Sequence, residues 1–317
     1  MKKIFSILAV ATLLMTGCEK STTEVQKPST FDTNEIRIEA SIGGTRATLT
    51  NFEAGDKMSL YVVEYLPEGA PEVQTYGNYI NNEPMVYDGT EWRGERPLYW
   101  SKTHCDFYGF YPYQPTGAMK DAYFHIAADQ SQPTVDGVLG GYEASDIMWA
   151  KASMVKPPYT TETDDDGTIC TPPIIEDHYY PVPLQFKHMM TRLVVNIERG
   201  PSYEGELPED ITVHIYNTLT TAIVDWTIGS LKADTQGARK TITMRQVDGD
   251  TFEAIVVPQF IERRTPFIEV TMEGIAYLLE SSASLRPGKQ HTYTVTLNTS
   301  PEQEKIEINI DGEVGEW

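Results

Sequence analysis

Alternation of apolar and polar residues recurs along most of this chain, and a period of two admits strands with one buried face rather than helices. Met58-Leu60-Val62, Leu193-Val195-Ile197, Ile211-Val213-Ile215, Ile242-Met244, Phe252-Ala254-Val256 and Tyr293-Val295-Leu297 carry it. Val86-Tyr87, Tyr123-Phe124-His125-Ile126, Ile147-Met148-Trp149 and Phe267-Ile268-Val270-Met272 read as further strands. In the second half they recur roughly every ten to fifteen residues with few helical windows, which predicts an all-β chain built of antiparallel sandwiches.

The segment Asp106-Phe107-Tyr108-Gly109-Phe110-Tyr111 is apolar and aromatic on both faces, as expected of a central strand, and Pro112 ends it. Asp88-Gly89, Glu273-Gly274 and Leu285-Arg286-Pro287-Gly288-Lys289 supply turns. Residues 151–183 lose the alternation among Pro157-Pro158, Asp164-Asp165-Asp166-Gly167 and Pro172-Pro173, an excursion placed just before a domain boundary. Length suits two domains, expected at 35–183 and 184–317. The tail, residues 302–317, alternates Ile306, Ile308 and Ile310 with Glu307, Asn309 and Asp311 before Val314 and Trp317. Such a strand can close its own sandwich or be lent to another.

At the front, Lys2 and Lys3 precede an apolar run over 4–15 and then Gly17-Cys18. This pattern predicts a lipoprotein signal peptide over 1–17, with Cys18 as the lipid-bearing first mature residue. One acyl chain holds weakly, so a thioether lipid plus an N-terminal acyl chain such as palmitate is expected. Residues 18–34, rich in Ser, Thr, Lys and Glu, read as a flexible tether. With 46 acidic against 25 basic residues and a net charge of −21, nucleic acid and anionic headgroups are poor partners. Cys105 and Cys170 are then left either to pair or to stay buried as thiols; the aromatic run beside Cys105 favours the thiols.

No His-Glu-x-x-His, Gly-x-Ser-x-Gly, phosphate-cradling loop or Cys-x-x-Cys occurs, and the six histidines are scattered. Asp164-Asp165-Asp166-Gly167 lacks the alternating spacing and distal glutamate of a calcium loop. Glu143 and Asp146 read as surface. No enzyme activity, cofactor or metal is expected. Tyr65, Tyr76, Tyr79 and Tyr159 are candidate platforms for a glycan, if exposed.

Several features in order resemble the fimbrillin-like proteins, which build or decorate type V pili. They are the signal ending at Cys18, Gly43-Gly44-Thr45-Arg46-Ala47 before Phe52-Glu53-Ala54-Gly55-Asp56, and the aromatic run into Pro112. Pro183-Leu184-Gln185-Phe186-Lys187-His188-Met189-Met190 and Gly288-Lys289-Gln290-His291-Thr292-Tyr293 follow, with a closing tryptophan. The resemblance implies two transthyretin-like β-sandwich domains in tandem, and export to the outer membrane or cell surface as a lipid-anchored precursor. It further implies cleavage between Arg46 and Ala47, which removes the strand holding Ile36, Ile38 and Ala40. Ile306, Ile308, Ile310 and Val314 of a neighbouring subunit would fill the vacated groove, making other pilus subunits the partners, with a host or bacterial surface ligand besides. Without the cut, the protein would be a lipid-anchored glycan- or protein-binding module that does not polymerise.

Overall fold

Almost every alternating segment is a strand in the computed structural model, which describes residues 34–43, 52–69, 71–160, 174–175, 181–298 and 308–317, with backbone alone at 159, 160, 174, 175 and 308–311. Seven strands form the first sheet in the order β1 (Ile38–Ile42), β10 (Val182–His188), β7 (Met148–Val155), β5 (Cys105–Tyr111), β2 (Lys57–Glu64), β3 (Ile80–Tyr87) and β4 (Trp92–Gly94). The second sheet runs β16 (Arg245–Gln246), β17 (Thr251–Val256), β11 (Thr191–Arg199), β20 (Lys289–Leu297), β21 (Ile308–Glu316). A third contains β15 (Arg239–Thr243), β12 (Thr212–Leu219), β18 (Phe260–Met272) and β19 (Ile275–Ser284). Smaller sheets join β14 (Ser230–Ala233), β13 (Thr221–Asp225) and β6 (Ala122–His125), and β8 (Tyr159–Thr160) with β9 (Ile174–Ile175). The one helix among the described residues, α1 (Gly141–Ser145), is a single short turn.

Pairing between these strands is antiparallel except where β1 meets β10 and β11 meets β20. Parallel neighbours need long crossovers, and both pairs are far apart in sequence. The expected boundary at 183/184 falls inside β10, all of which belongs to the first sheet. Residues 33–317 form one compact unit, and β6 pairs with β13 across that boundary.

Two apolar cores lie on opposite faces of the first sheet. One gathers Leu60, Val62, Trp92, Phe107, Leu184 and Phe186 with Ile36 and Ile38, drawing only on residues up to 186. The other takes Tyr61, Val63, Tyr108 and Phe110 from the alternate positions and joins them to Ile215, Phe252 and Phe267 of the later sheets. β5 is buried at every position, as its doubly apolar sequence requires, and it ends before Pro112. Gly109 is needed there because a Cβ would lie 2.6 Å from Phe186 Cζ. Glu273 and Gly274, both left-handed with φ of 51° and 75°, make the tight turn between β18 and β19.

Cys105 is a free buried thiol, and burial foremost, with the nearby Glu64 charge, pushes its pKa up to about 11. It therefore stays protonated at neutral pH. Cys170 lies outside the described residues, as does the 164–167 turn.

Candidate strand-exchange edges

The first sheet ends in β1, whose alternation turns one row of side chains inward. Ile36 and Ile38 are 2% and 6% exposed, Ala40 and Ile42 pack against the same core, and Glu39 and Ser41 face solvent. Its register runs parallel to β10 from Ile38 opposite Val182 to Ile42 opposite Phe186. Val182 N donates to Arg37 O at 2.8 Å, Gly43 N to Phe186 O at 2.8 Å, and Ile36 N to Leu98 O at 2.7 Å. Taking β1 away would therefore unpair one edge of β10 and open an apolar trough over Leu184 and Phe186. The chain returns at Phe52, whose ring meets those of Trp92, Tyr111 and Phe186 at 5.0, 5.3 and 5.6 Å. Both flanks of residues 44–51 thus rest on the same core. Cys18, Arg46, Ala47 and Ile306 themselves lie outside the described residues.

The second sheet ends in β21, which runs antiparallel to β20 from Leu297 opposite Ile308, through Val295 opposite Ile310, to Lys289 opposite Glu316. Residues 308–316 of the tail thus sit in their own sheet here. Its described side chains from 312 to 316 are exposed, Val314 at 62%, so the ladder and an ion pair between Lys289 and Glu316 hold it along its length. Trp317 is the exception. It is 5% exposed and stacks on His188 with ring centroids 3.7 Å apart and planes at 15°. His188 Nδ1 is in turn 2.9 Å from Asp146 Oδ1, and Trp317 N donates to Gly288 O. The free-standing edge is therefore pinned at its far end to β10, the strand that β1 covers. Losing a stack worth about 0.5–1.5 kcal/mol beyond its buried area, Trp317→Ala is expected to speed amide exchange at 312–316 about tenfold. Exchange in β11 should stay unchanged, and equal acceleration there would mean that the tryptophan supports the whole fold.

Asp146 and Glu143 are not the solvated residues that the local sequence suggests. Asp146 holds His188, and Glu143 pairs with Arg245 at 2.5 Å. Both belong to the stretch of α1, which packs beside β17, so tertiary packing covers a locally polar segment. Of the four tyrosines, Tyr76 and Tyr79 are 71% and 41% exposed. Tyr65 is half-buried beside His104, and Tyr159 belongs to β8, where only the backbone is described. Among the described residues no group of three or more His, Cys, Asp and Glu side chains could hold a metal, and no helix is long and apolar enough to cross a membrane.

A family model described as fimbrillin-like matches residues 45–317. A relative from Bacteroides ovatus, provisionally named a fimbrium tip subunit, is 24% identical over 212 residues. The match takes in 62% of this chain but 35% of that relative's length. Among solved structures, one from Bacteroides uniformis provisionally assigned to cell adhesion has a TM-score of 0.61 at 20% identity, covering 90% of this chain and 100% of the other. A second such assignment, from Bacteroides ovatus, gives 0.61 at 17%, covering 89% and 97%. At these identities the likeness is one of fold.

Proposed function

The chain belongs to the fimbrillin-like family, and from that premise we propose that it is a structural or adhesive component of a surface pilus. It is exported as a lipoprotein on Cys18, matured by cleavage between Arg46 and Ala47, and assembled by strand exchange. The observation that carries this reading is the placement of β1. It precedes Arg46, it is an edge strand, and it sets Ile38, Ala40 and Ile42 against Val182, Leu184 and Phe186 of β10. An edge strand ahead of a cut site can leave, and an extended segment of another subunit repairs the unpaired backbone and the apolar trough together. Ile308, Ile310 and Val314 of β21, with Ile306 before them, supply that segment. Head-to-tail donation does not close on itself, so it builds a filament. The naming of a relative as a tip subunit supports a place at a pilus tip, although this chain spans only 35% of that relative.

The pairing of β21 within its own sheet, ended by the buried Trp317, favours a second reading, a lipid-anchored surface binder that keeps β1 and does not polymerise. Intact-mass and N-terminal analysis of protein recovered from the cell surface separates the two. A chain beginning at Ala47 is expected; one beginning at acylated Cys18 would favour the retained anchor.

A further inference from the structure

The second and third sheets each end in an uncovered strand, β21 and β19 respectively. The two edges lie on one side of the molecule, because Ser281, Ser282, Ala283 and Ser284 of β19 and Gly312, Glu313 and Val314 of β21 line a single cleft of about 530 Å³. His291 and Tyr293 of β20 form its floor and Arg286 stands beside them. The walls are mostly small residues, which leaves width for a main chain.

Three independent features say what fits. β19 is ten residues long and carries one charge, Glu280, with no Lys, Arg or Pro. Exposed edges are usually guarded by such residues, and an unguarded one offers its N–H and C=O groups to another strand. Ile275 and Leu278, 47% and 50% exposed, extend that edge with apolar surface. His291 is 4% exposed, and its Nε2 has no hydrogen-bond partner among the described residues. A buried polar atom left in this way is costly unless something else meets it. Arg286 is exposed and makes no ion pair with any described residue, although the chain has nearly two acidic groups for each basic one. Burial, and secondarily the Arg286 charge, hold His291 below its ordinary pKa, so it is neutral at pH 7 and one ring nitrogen carries a proton.

We propose that this cleft receives an extended segment of a partner protein bearing an acidic side chain. The segment's backbone adds to β19 at 281–284, and its carboxylate pairs with Arg286 and accepts a hydrogen bond from His291 Nε2. Glu313 on the opposite wall repels acidic groups placed at that side and so orients the segment. The inference rests on the second reading, in which β21 keeps its place beside β20, because donating β21 would remove one wall of this cleft; the trough under β1 belongs to the first sheet.

The test is selection from a displayed library of random dodecapeptides on the full folded protein, with counter-selection on Ser282→Trp, which fills the cleft from an exposed position. Enriched peptides should carry an Asp or Glu and bind Arg286→Glu at least about tenfold more weakly, as loss of a charge-assisted contact implies. They should also slow amide exchange at 281–284. The proposal is overturned if no peptides distinguish the protein from Ser282→Trp, if the enriched peptides lack an acidic residue and ignore Arg286→Glu, or if protection falls on β10 instead. Should Ser282→Trp prove unfolded, Arg286→Glu and the exchange pattern decide the matter.

Discussion

Cutting the folded protein after Arg46 and removing the released segment will destabilise the remaining monomer by about 3–6 kcal/mol, because Ile36 and Ile38 each contribute about 1.5–3 kcal/mol by burial. Both side chains sit in the core with Leu184 and Phe186, and their departure also strips the hydrogen bonds at Arg37 and Gly43. Urea melts before and after removal give the change, and a dye that fluoresces on apolar surface should report the opened trough. Supplying a synthetic peptide of residues 35–43 should restore stability in proportion to its concentration. The same peptide carrying Ile38→Asp should not, because a carboxylate would enter a site that leaves its isoleucine 6% exposed. A cut protein as stable as the uncut one would show that β1 merely rests on the sheet.

Glu253→Ala should cost about 3–5 kcal/mol, the usual result of breaking a buried ion pair by removing one partner. Glu253 has a side chain 7% exposed and binds two arginines, Arg192 across the sheet and Arg245 at 3.1 Å. Arg245 continues to Glu143 at 2.5 Å and lies 3.7 Å over the Tyr142 ring. The chain of charges therefore fastens α1 to the second sheet. By contrast, Arg93→Ala should change stability by less than about 1 kcal/mol, since its partners Asp88 and Glu91 are solvent-exposed or half-exposed. Denaturant melts of both variants measure the difference. Adding Arg192→Met to Glu253→Ala should recover part of the loss, because it removes the charge left stranded; a double variant worse than the single one would place the cost in lost packing.

Glu253 also marks where sequence reading stops. Phe252-Ala254-Val256 declares a strand with one buried face, but β17 is buried on both faces, with α1 packed against it. No local pattern reports that covering. The same limit hid Asp146 and Glu143. It hid Gln130 too, wholly buried and exchanging hydrogen bonds of 2.8 Å with both backbone groups of Ile255, so that one side chain stands in for a strand neighbour. β5, β11 and β18 were legible because each buries apolar residues in a repeating register. β19 was not: Leu278 and Leu279 are adjacent and four of its last five residues are serine or alanine, so its pairing with β18 decides its form. The alternation through Ile38 and Ala40 and the run through Ile308 and Ile310 fall on two strands at sheet edges, β1 and β21. The partners did not follow, since the parallel match of β1 to β10 and the stack of Trp317 on His188 join residues more than a hundred positions apart.

Gel electrophoresis of sheared surface material tests whether subunits join by lending a strand. The wild-type protein should run as a ladder in cold detergent and collapse to a single band on boiling, whereas Ile308→Asp should run as a monomer under both conditions. A wild-type protein that runs as a monomer in the cold, or an Ile308→Asp ladder equal to the wild type's, would contradict donation by β21.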